Sequence, residues 1–231
     1  MGVSEWVDKI VIVEDDVLLR EEMQNILEKQ GYVVECITSF NDSVDDIISA
    51  APSLIILDLN LPNLSGFEIC RRVKAKGIGP IVVLTSRNQL NDELHALDLG
   101  ADDYLTKPCH PRRLIARVQK LLTIYSTISP ILDAGDFKIE DLSNRLLVGK
   151  KSIILSDNEG IIMKELVKSS PSIVNKEKLF QLLWGSSQFV DENILQVNMT
   201  RLRKTLEEVG LAHRIKTKRG IGYYLEGDDS Q

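Results

Sequence analysis

Three carboxylates follow two short apolar segments in the first half of the chain. Asp58 comes directly after Leu54–Leu57, and Asp15 and Asp16 come just after Ile10–Val13. Short apolar runs closed by turn-forming residues are typical of buried parallel strands, whose carboxyl ends carry the functional groups of open α/β sheets. If the two strands are neighbours, the three carboxylates converge. They would repel one another without a cation, which favours a hard, oxygen-bound metal such as Mg²⁺.

Two further side chains lie at equivalent positions. Thr85 follows Ile81–Leu84, and Lys107 follows a segment that passes through Tyr104. A carboxylate nucleophile, a metal, a hydroxyl and an ammonium are what phosphoryl transfer requires, because the cations neutralise the oxygens of the travelling group and the hydroxyl binds one of them. Each residue alone has a structural interpretation, such as a helix cap or a solvated lysine. Five at matching strand ends favour a phosphoacceptor site at Asp58.

The elements that must position these residues alternate along the chain. Strand patterns occur at Lys9–Val13, Val33–Ile37, Leu54–Leu57, Ile81–Leu84 and Asp103–Thr106, and helical patterns at Val17–Lys29, Asp42–Ser49, Gly66–Lys74, Asn91–Leu99 and Pro111–Ile124. This alternation predicts a parallel sheet covered on both faces. The first half is therefore predicted to be an α/β, flavodoxin-like, doubly wound (βα)5 domain.

Length and composition limit the remaining possibilities. A chain of 231 residues fits two domains of ordinary size. No apolar run approaches the ~20 residues of a membrane span, and the first residues lack the regions of a signal peptide. We therefore expect a cytoplasmic protein without a membrane partner. The three cysteines lack the spacing of a zinc site or a disulfide framework.

The charge is distributed unevenly between the two halves. Residues 1–130 carry a net charge of −6, whereas residues 131–231 carry 15 basic and 15 acidic residues. Within the second half, residues 193–219 have a net charge of +5. An acidic half joined to a half with a basic tip indicates that only the tip meets a polyanion.

The first half resembles a response-regulator receiver domain. The resemblance covers roughly residues 8–124 and is carried by Val13–Asp16, Asp58–Gly66, Leu84–Ser86 and Gly100–Pro108. It implies that Asp58 takes a phosphoryl group from a phosphohistidine on a sensor histidine kinase. It also implies a Mg²⁺ site formed by Asp16, Asp58, the backbone carbonyl of Asn60 and, through water, Asp15. A cis peptide bond between Lys107 and Pro108 is implied as well.

The same resemblance implies a switch and a dimer. Thr85 would move onto the phosphate while Tyr104 swings inward, which reshapes the face formed by the fourth helix, the last strand and the fifth helix. Activated relatives usually dimerise through this face, pairing a basic residue of the fourth helix with an acidic residue of the fifth.

The charges at that face depart from the family pattern. Glu93 and Arg113 occupy the two matching positions with the signs exchanged, whereas a second pair, Asp103 and Arg117, keeps the usual signs. Our hypothesis is that this chain forms a homodimer with the first pair inverted, and that the inversion excludes related regulators by like-charge contact. The alternative is two solvated surface charges of little energetic consequence.

The second half begins after a segment without pattern. Tyr125–Pro130 is rich in Ser and Thr, so we predict a receiver domain over 1–124, a linker over 125–132 and a second domain over 133–231. Asp136–Val148 and Lys151–Leu155 predict a small antiparallel sheet. Ser156 and Glu159 form a capping box that begins a helix ending at about Lys168. Further helices are predicted at Lys176–Leu183 and Glu192–Val209, the latter capped by Asp191.

The third of these helices has two distinct faces. One apolar stripe contains Leu195, Met199, Leu202 and Leu206. The opposite face has amides, a hydroxyl, a small apolar group and cations: Asn193, Gln196, Val197, Thr200, Arg201 and Lys204, with Arg203 on the flank. Such a face suits the major groove of double-stranded DNA, where Arg reads guanine, Gln or Asn reads adenine and Val touches a thymine methyl. For this helix alone, an ordinary solvated face is the simpler interpretation.

A basic hairpin after the helix favours DNA binding. His213–Thr217 and Gly222–Leu225 are predicted strands that bracket a tip containing Lys218 and Arg219. A recognition helix followed by such a hairpin forms a winged helix. Lys218 and Arg219 would then enter the minor groove, and Lys216 and Thr217 would hold phosphates.

The second half resembles the DNA-binding half of the OmpR/PhoB family, an α+β winged helix-turn-helix domain. The resemblance covers about residues 133–226 and is carried by Leu155–Glu159, Leu179–Trp184, Val197–Lys204 and Ile215–Tyr223. It implies tandem binding to promoter direct repeats and RNA polymerase contacts around Trp184–Val190. The amino-acid sequence of the wing, Thr217–Gly220, is also similar to that of regulators that answer cell-envelope antibiotics in Gram-positive bacteria.

Together these patterns predict a phosphorylation-activated transcription regulator of a two-component system, and not an enzyme. Two alternatives stay open. One is a DNA-binding regulator that ignores phosphorylation, and the other is a receiver with a catalytic or protein-binding output. The second half has no cluster of His, Cys or acids suited to catalysis, and its basic tip is best explained by DNA.

Overall fold

The computed structural model describes residues 7–40, 43–62, 65–86, 90–128, 130–185 and 192–227, with the backbone alone at 90–92 and 192. The chain divides into two compact units, Met1–Pro130 and Ile131–Gln231. Each unit has its own apolar core.

The described residues of the first unit form a five-stranded parallel sheet and five helices. In chain order the elements are β1 (Lys9–Val13), α1 (Val17–Glu28), β2 (Val33–Ile37), α2 (Ser43–Ala50), β3 (Leu54–Leu57), α3 (Gly66–Ala75), β4 (Ile81–Thr85), α4 (Leu90–Asp98), β5 (Asp103–Thr106) and α5 (Pro111–Ile128). The strand order is β2-β1-β3-β4-β5, with every pairing parallel. The predicted flavodoxin-like fold is confirmed.

The sheet brings the functional strand ends together. All residues of β3 and β4 are buried, because these strands lie inside the sheet and are covered on both faces. Since β1, β3, β4 and β5 are successive neighbours and run parallel, their carboxyl ends share one edge of the sheet.

The predicted linker over 125–132 is wrong over most of its length. Helix α5 continues to Ile128, and a strand begins at Ile131. A partly buried polar network holds the extra turn: Tyr125 donates to Asp102 Oδ1 over 2.7 Å, and Lys74 Nζ donates to the Tyr125 hydroxyl over 2.9 Å. The Ser and Thr residues of this segment suggested a loop, but their hydroxyls bond to carbonyls in the preceding turn of the helix.

The second unit has two small antiparallel sheets around three helices. Its elements are β6 (Ile131–Asp133), β7 (Lys138–Glu140), β8 (Arg145–Val148), β9 (Lys151–Ile154), α6 (Asp157–Ser169), β10 (Val174–Asn175), α7 (Lys176–Trp184), α8 (Glu192–Glu207), a 3-10 turn at Ala212–Arg214, β11 (Ile215–Lys218) and β12 (Gly222–Leu225). The sheet orders are β6-β7-β8-β9 and β10-β12-β11. The capping box of Ser156 and Glu159 begins α6 as predicted, whereas the predicted cap Asp191 lies outside the described residues.

The hairpin of β11 and β12 is held closely against β10. Gly222 pairs with Asn175, and a Cβ atom at Gly222 would lie 2.0 Å from the carbonyl oxygen of Val174. A side chain at this position would push the two strands apart, so the hairpin needs glycine here.

Candidate functional sites

Asp58 is fixed at the edge of the sheet immediately after β3. Its backbone N–H bonds to the carbonyl of Val13 over 2.9 Å, and its side chain is only 3% exposed. Oδ1 accepts from the backbone N–H of Asn60 over 2.9 Å, while Oδ2 accepts from Lys107 Nζ over 2.6 Å. Both carboxylate oxygens are therefore held by donors from two different loops.

Lys107 lies between two carboxylates. Its Nζ is 2.6 Å from Asp58 Oδ2 and 2.8 Å from Glu14 Oε1. Burial alone would lower the pKa of Lys107, but the hydrogen bonds to Asp58 and Glu14 raise it above its ordinary value. The ammonium therefore stays charged. The cis peptide bond between Lys107 and Pro108 is present as the resemblance implied.

Glu14 is a site residue that the sequence analysis missed. Its side chain is 1% exposed, and carboxylate oxygens of Glu14, Asp15 and Asp58 all lie within 4.8 Å of one another. Burial raises the pKa of Glu14, although Lys107 opposes the shift. The three carboxylates lie close together, and burial disfavours the ionised form of Glu14. Such a group suits a hard divalent cation bound through oxygen, which would compensate the negative charge.

Asp16 does not belong to this acidic group among the described residues, contrary to the prediction. Its carboxylate instead accepts from the backbone N–H of Leu19 over 3.1 Å and caps helix α1. The reason is one of register. Strand β1 ends at Val13, so positions 14 and 15 lie at the sheet edge, and position 16 is already the N-cap.

Thr85 and Asn60 meet beside Asp58. Thr85 is fully buried at the end of β4, and its hydroxyl accepts from Asn60 Nδ2 over 3.2 Å. The same amide nitrogen lies 2.9 Å from the Ser86 hydroxyl. Asn60 thus joins the loop after β3 to the end of β4 through its side chain. Tyr104, the other predicted switch residue, is already buried on β5.

The predicted dimer residues lie on α4, β5 and α5. Glu93 is half-buried on α4, and Arg113 is exposed on α5. Asp103 and Arg117 form an ion pair within the chain, with 3.1 Å between Oδ2 and a guanidinium nitrogen. The second pair is therefore satisfied in a single copy.

Helix α8 has the two faces that the sequence predicts. Leu195, Met199, Leu202 and Leu206 are buried in the core of the second unit. The residues of the opposite face are all exposed: Asn193, Gln196, Val197, Thr200, Arg201 and Lys204.

The flank of α8 and the hairpin differ from the prediction in what they contact. Arg203 donates to the Thr217 hydroxyl over 2.9 Å and to the Ile215 carbonyl over 3.2 Å, so two predicted DNA contacts are bonded to each other. Lys216 is ion-paired with Glu226 at 2.8 Å. Lys218 and Arg219 are exposed at the tip.

One of the basic residues counted in the tip is structural. Arg214 is buried, where it pairs with Asp136 and donates to the carbonyl of Glu226. Its guanidinium lies over the Phe137 ring. The charge that can meet a polyanion is therefore smaller than the sequence count.

Two family profiles match the chain. Residues 10–119 match the response regulator receiver domain, and residues 149–225 match the C-terminal domain of transcriptional regulatory proteins. The chain is 36% identical over 228 residues to the sensory transduction protein BceR of Halalkalibacterium halodurans, covering 95% of this chain and 97% of the relative. It is 35% identical over 219 residues to the response regulator protein GraR of Staphylococcus aureus, covering 93% of this chain and 98% of that relative. The chain belongs to the OmpR/PhoB-type response regulators.

This response regulator is also similar to a solved structure. It is 30% identical to DrrB, described as a Thermotoga maritima OmpR/PhoB homolog, over 96% of this chain and 100% of that one, with a TM-score of 0.48. The regulator is a two-component protein with a receiver domain and a DNA-binding domain. The predicted membership of the OmpR/PhoB family is confirmed. None of its described helices is long and apolar enough to cross a membrane.

The two matched residue ranges contain the residues of both sites. Receiver domains bind Mg²⁺ at an acidic pocket, and here the acidic group is Glu14, Asp15 and Asp58. Helix α8 and the basic hairpin fall within the region matched by the transcriptional regulatory domain.

Proposed function

We propose that phosphorylation of Asp58 switches on DNA binding by the second unit. The observation that carries the proposal is the Lys107 ammonium, 2.6 Å from Asp58 Oδ2 beside Glu14 and Asp15. A buried nucleophile, a fixed cation and an acidic group suited to Mg²⁺ are the components of phosphoryl transfer.

In the proposed reaction, a carboxylate oxygen of Asp58 attacks the phosphorus of a phosphohistidine on a sensor kinase. The bond from phosphorus to Asp58 forms as the phosphorus–nitrogen bond breaks, and the imidazole nitrogen keeps the bonding electron pair. Lys107 donates to one phosphoryl oxygen and the Thr85 hydroxyl donates to another. Mg²⁺ held by Glu14, Asp15, Asp58 and the carbonyl of Asn60 would supply further charge neutralisation.

A surface beside the phosphoacceptor suits the kinase. Leu18 on α1 is 79% exposed, next to a cavity of about 590 Å³ that reaches Lys107. Pro108, Cys109 and Leu114 form part of its wall. Val17, which is 51% exposed, lies next to Leu18, and adjacent exposed apolar residues rimmed by polar ones mark interaction sites, so we assign this surface to the sensor kinase.

The proposed response to phosphorylation is a homodimer formed through α4, β5 and α5. Glu93 of one copy would pair with Arg113 of the other, and Thr85 and Tyr104 would transmit the change from Asp58. Asp103 and Arg117 would exchange their internal ion pair for one between copies.

The proposed output is binding to promoter direct repeats in the cytoplasm, where the kinase domain and DNA are found. The exposed face of α8 would read bases and the hairpin would meet the backbone and minor groove. Two tethered modules gain affinity through effective concentration. RNA polymerase would bind near Trp184, which packs on Phe180 at the end of α7; the rest of that predicted contact, residues 186–190, lies outside the described residues.

The proposed stimulus is damage by antibiotics that act on the cell envelope. It rests on the similarity of the wing to regulators that answer cell-envelope antibiotics and on the similarity of the whole chain to BceR and GraR. In this role the chain transfers information and is a regulator rather than an enzyme.

The test is a paired measurement on the full chain with Mg²⁺ and acetyl phosphate. We expect intact-mass spectrometry to show one added phosphoryl group that D58A lacks. We also expect the wild-type chain, but not D58A, to bind a duplex selected from a random library more tightly after treatment. An unmodified chain, or equal DNA affinity with and without modification, would contradict the proposal.

A further inference from the structure

Helix α8 has two flanks between its buried stripe and its exposed face. At about 100° per residue, Arg203 and Thr205 are roughly 200° apart and border the buried stripe on opposite sides. Both are polar, and both make bonds to other elements of the second unit.

The Thr205 flank is bonded to the beginning of α6. The Thr205 hydroxyl lies 2.8 Å from Glu159 Oε1 and 3.2 Å from the carbonyl of Arg201 in its own helix. Glu159 is buried, and its other oxygen accepts from the backbone N–H and the hydroxyl of Ser156 at 2.9 and 2.6 Å. The carboxylate that completes the capping box therefore also holds the recognition helix.

A second contact strengthens this flank. Asn158 Nδ2 donates to Asn198 Oδ1 over 3.2 Å, and Asn198 is itself buried. Asn198 lies seven residues before Thr205, so the first turn of α6 contacts α8 at two levels.

The Arg203 flank is bonded to the hairpin. Its guanidinium donates to the Thr217 hydroxyl and to the Ile215 carbonyl, both on β11. The exposed face of α8 therefore lies between a bond to α6 on one side and a bond to β11 on the other.

We propose that Arg203 and Thr205 are positioning residues that fix the rotation of α8 about its own axis and thereby set base specificity. Apolar packing is non-directional, whereas hydrogen bonds are directional. A rotation of about 10° moves an atom 5–6 Å from the helix axis by about 1 Å. A shift of that size breaks base-edge hydrogen bonds, which need 2.7–3.2 Å, but leaves flexible lysines able to reach phosphates. The inference rests on the proposed reading of bases by this face.

The experiment compares T205V, which removes the hydroxyl at constant shape, with T205S, which keeps it. The probes are a duplex selected by the full wild-type chain from a random library, its single-base variants and a random duplex. We expect T205V to lower the ratio of selected to random affinity by at least about fivefold, the lower end of one base-reading contact. T205S should restore the ratio. The salt dependence should not change, because no phosphate contact is removed. T127V, which removes a similar helical hydroxyl in the first unit, is the matched control.

The outcomes separate this inference from the proposed function. An equal loss on selected and random DNA would overturn it, because that loss reports only the amount of folded protein. If R201A lowers the ratio and T205V does not, α8 reads bases but Thr205 does not position it. If R201A also leaves the ratio unchanged, the proposed reading face itself is wrong. If T205V melts below the assay temperature, N158A replaces it in the test. This variant removes the bond between Asn158 and Asn198 on the same flank, and the ratio of selected to random affinity is measured in the same way.

Discussion

The two sites of this regulator use charge in opposite ways. Around Asp58, the carboxylates of Asp58 and Glu14 are buried and already bonded to Lys107, and only Asp15 of the acidic group is exposed. On α8, the charged and polar groups of the reading face are exposed, and the bonds that hold the helix lie on its flanks. A group that transfers phosphate must be placed before its small substrate arrives, whereas a face that reads DNA must stay open to a large one.

Because of this difference, the two sites respond differently to the loss of a charged group. Removing a charge from the receiver site alters the ion pairs of its buried neighbours, so both chemistry and stability change. Removing one from the reading face changes little except contact with DNA.

Replacing the buried cation should nearly abolish phosphorylation. We expect K107A to be modified by acetyl phosphate about 10²–10³-fold more slowly, the usual cost of losing one electrostatic donor. The rate is measured by intact mass over time. K74A is the matched control, since Lys74 is also a half-buried, ion-paired lysine, but on Asp102. An equal loss in both variants would show that Lys107 acts only through stability.

Neutralising Glu14 should separate metal binding from stability. We expect E14Q to bind Mg²⁺ about 10–100-fold more weakly by calorimetry, a typical cost of disturbing a metal site. Burial raises the pKa of Glu14, so the folded chain binds a proton more readily than the unfolded chain and the free energy of unfolding falls as pH rises through that range. Without Mg²⁺, E14Q should therefore unfold at higher urea than wild type at pH 7.

The advantage of E14Q should shrink toward acidic pH, where Glu14 is protonated in both states. E21Q, a substitution of an exposed acid on α1, should show neither effect. If E14Q is less stable than wild type at pH 7, the ionised carboxylate is stabilising and our account of the site is wrong.

Two cations of the second unit, Arg201 on the exposed face of α8 and Lys216 on β11, should behave differently. We expect R201A to weaken binding to the selected duplex by roughly 1–3 kcal/mol and to spare random DNA. K216A should weaken all sequences alike and reduce the salt dependence, because we assign it to phosphates. Fluorescence anisotropy over a range of salt concentrations measures the DNA affinity and its salt dependence. If the two variants gave identical profiles, Arg201 and Lys216 would not differ in recognising bases and binding phosphates.

The smallest effect concerns the charge pair of the proposed dimer. E93R places like charges together and should weaken dimerisation of the acetyl-phosphate-treated chain by up to about 1 kcal/mol, as exposed pairs do. The double variant E93R/R113E should recover it. Sedimentation equilibrium gives both values, and a double variant as weak as the single one would leave the pair without a role.

The sequence predicts the structure best where its apolar pattern is strongest. Fully apolar strands such as Leu54–Leu57 locate the sheet edge, and parallel topology then places Asp58, Thr85 and Lys107 together. The end of β1 was predicted correctly at Val13, but the resemblance placed the metal ligands at Asp15 and Asp16, and one residue separates a sheet-edge carboxylate from the N-cap of α1.

Other features depend on contacts between distant segments. Tyr125 extends α5 because of Lys74 and Asp102, which lie 51 and 23 residues away. The bonds of Arg203 to Thr217 and of Thr205 to Glu159 likewise cross the unit, and composition does not encode them. The charge count erred for the same reason, since Arg214 is buried.

The close approach of Gly222 to Val174 has a consequence for the whole regulatory circuit. If the receivers are phosphorylated and pair as proposed above, a G222A copy would have a displaced hairpin and would still pair with intact copies. Such a copy would occupy one half of mixed dimers, so one altered allele would lower the response of a cell that also carries the unaltered gene.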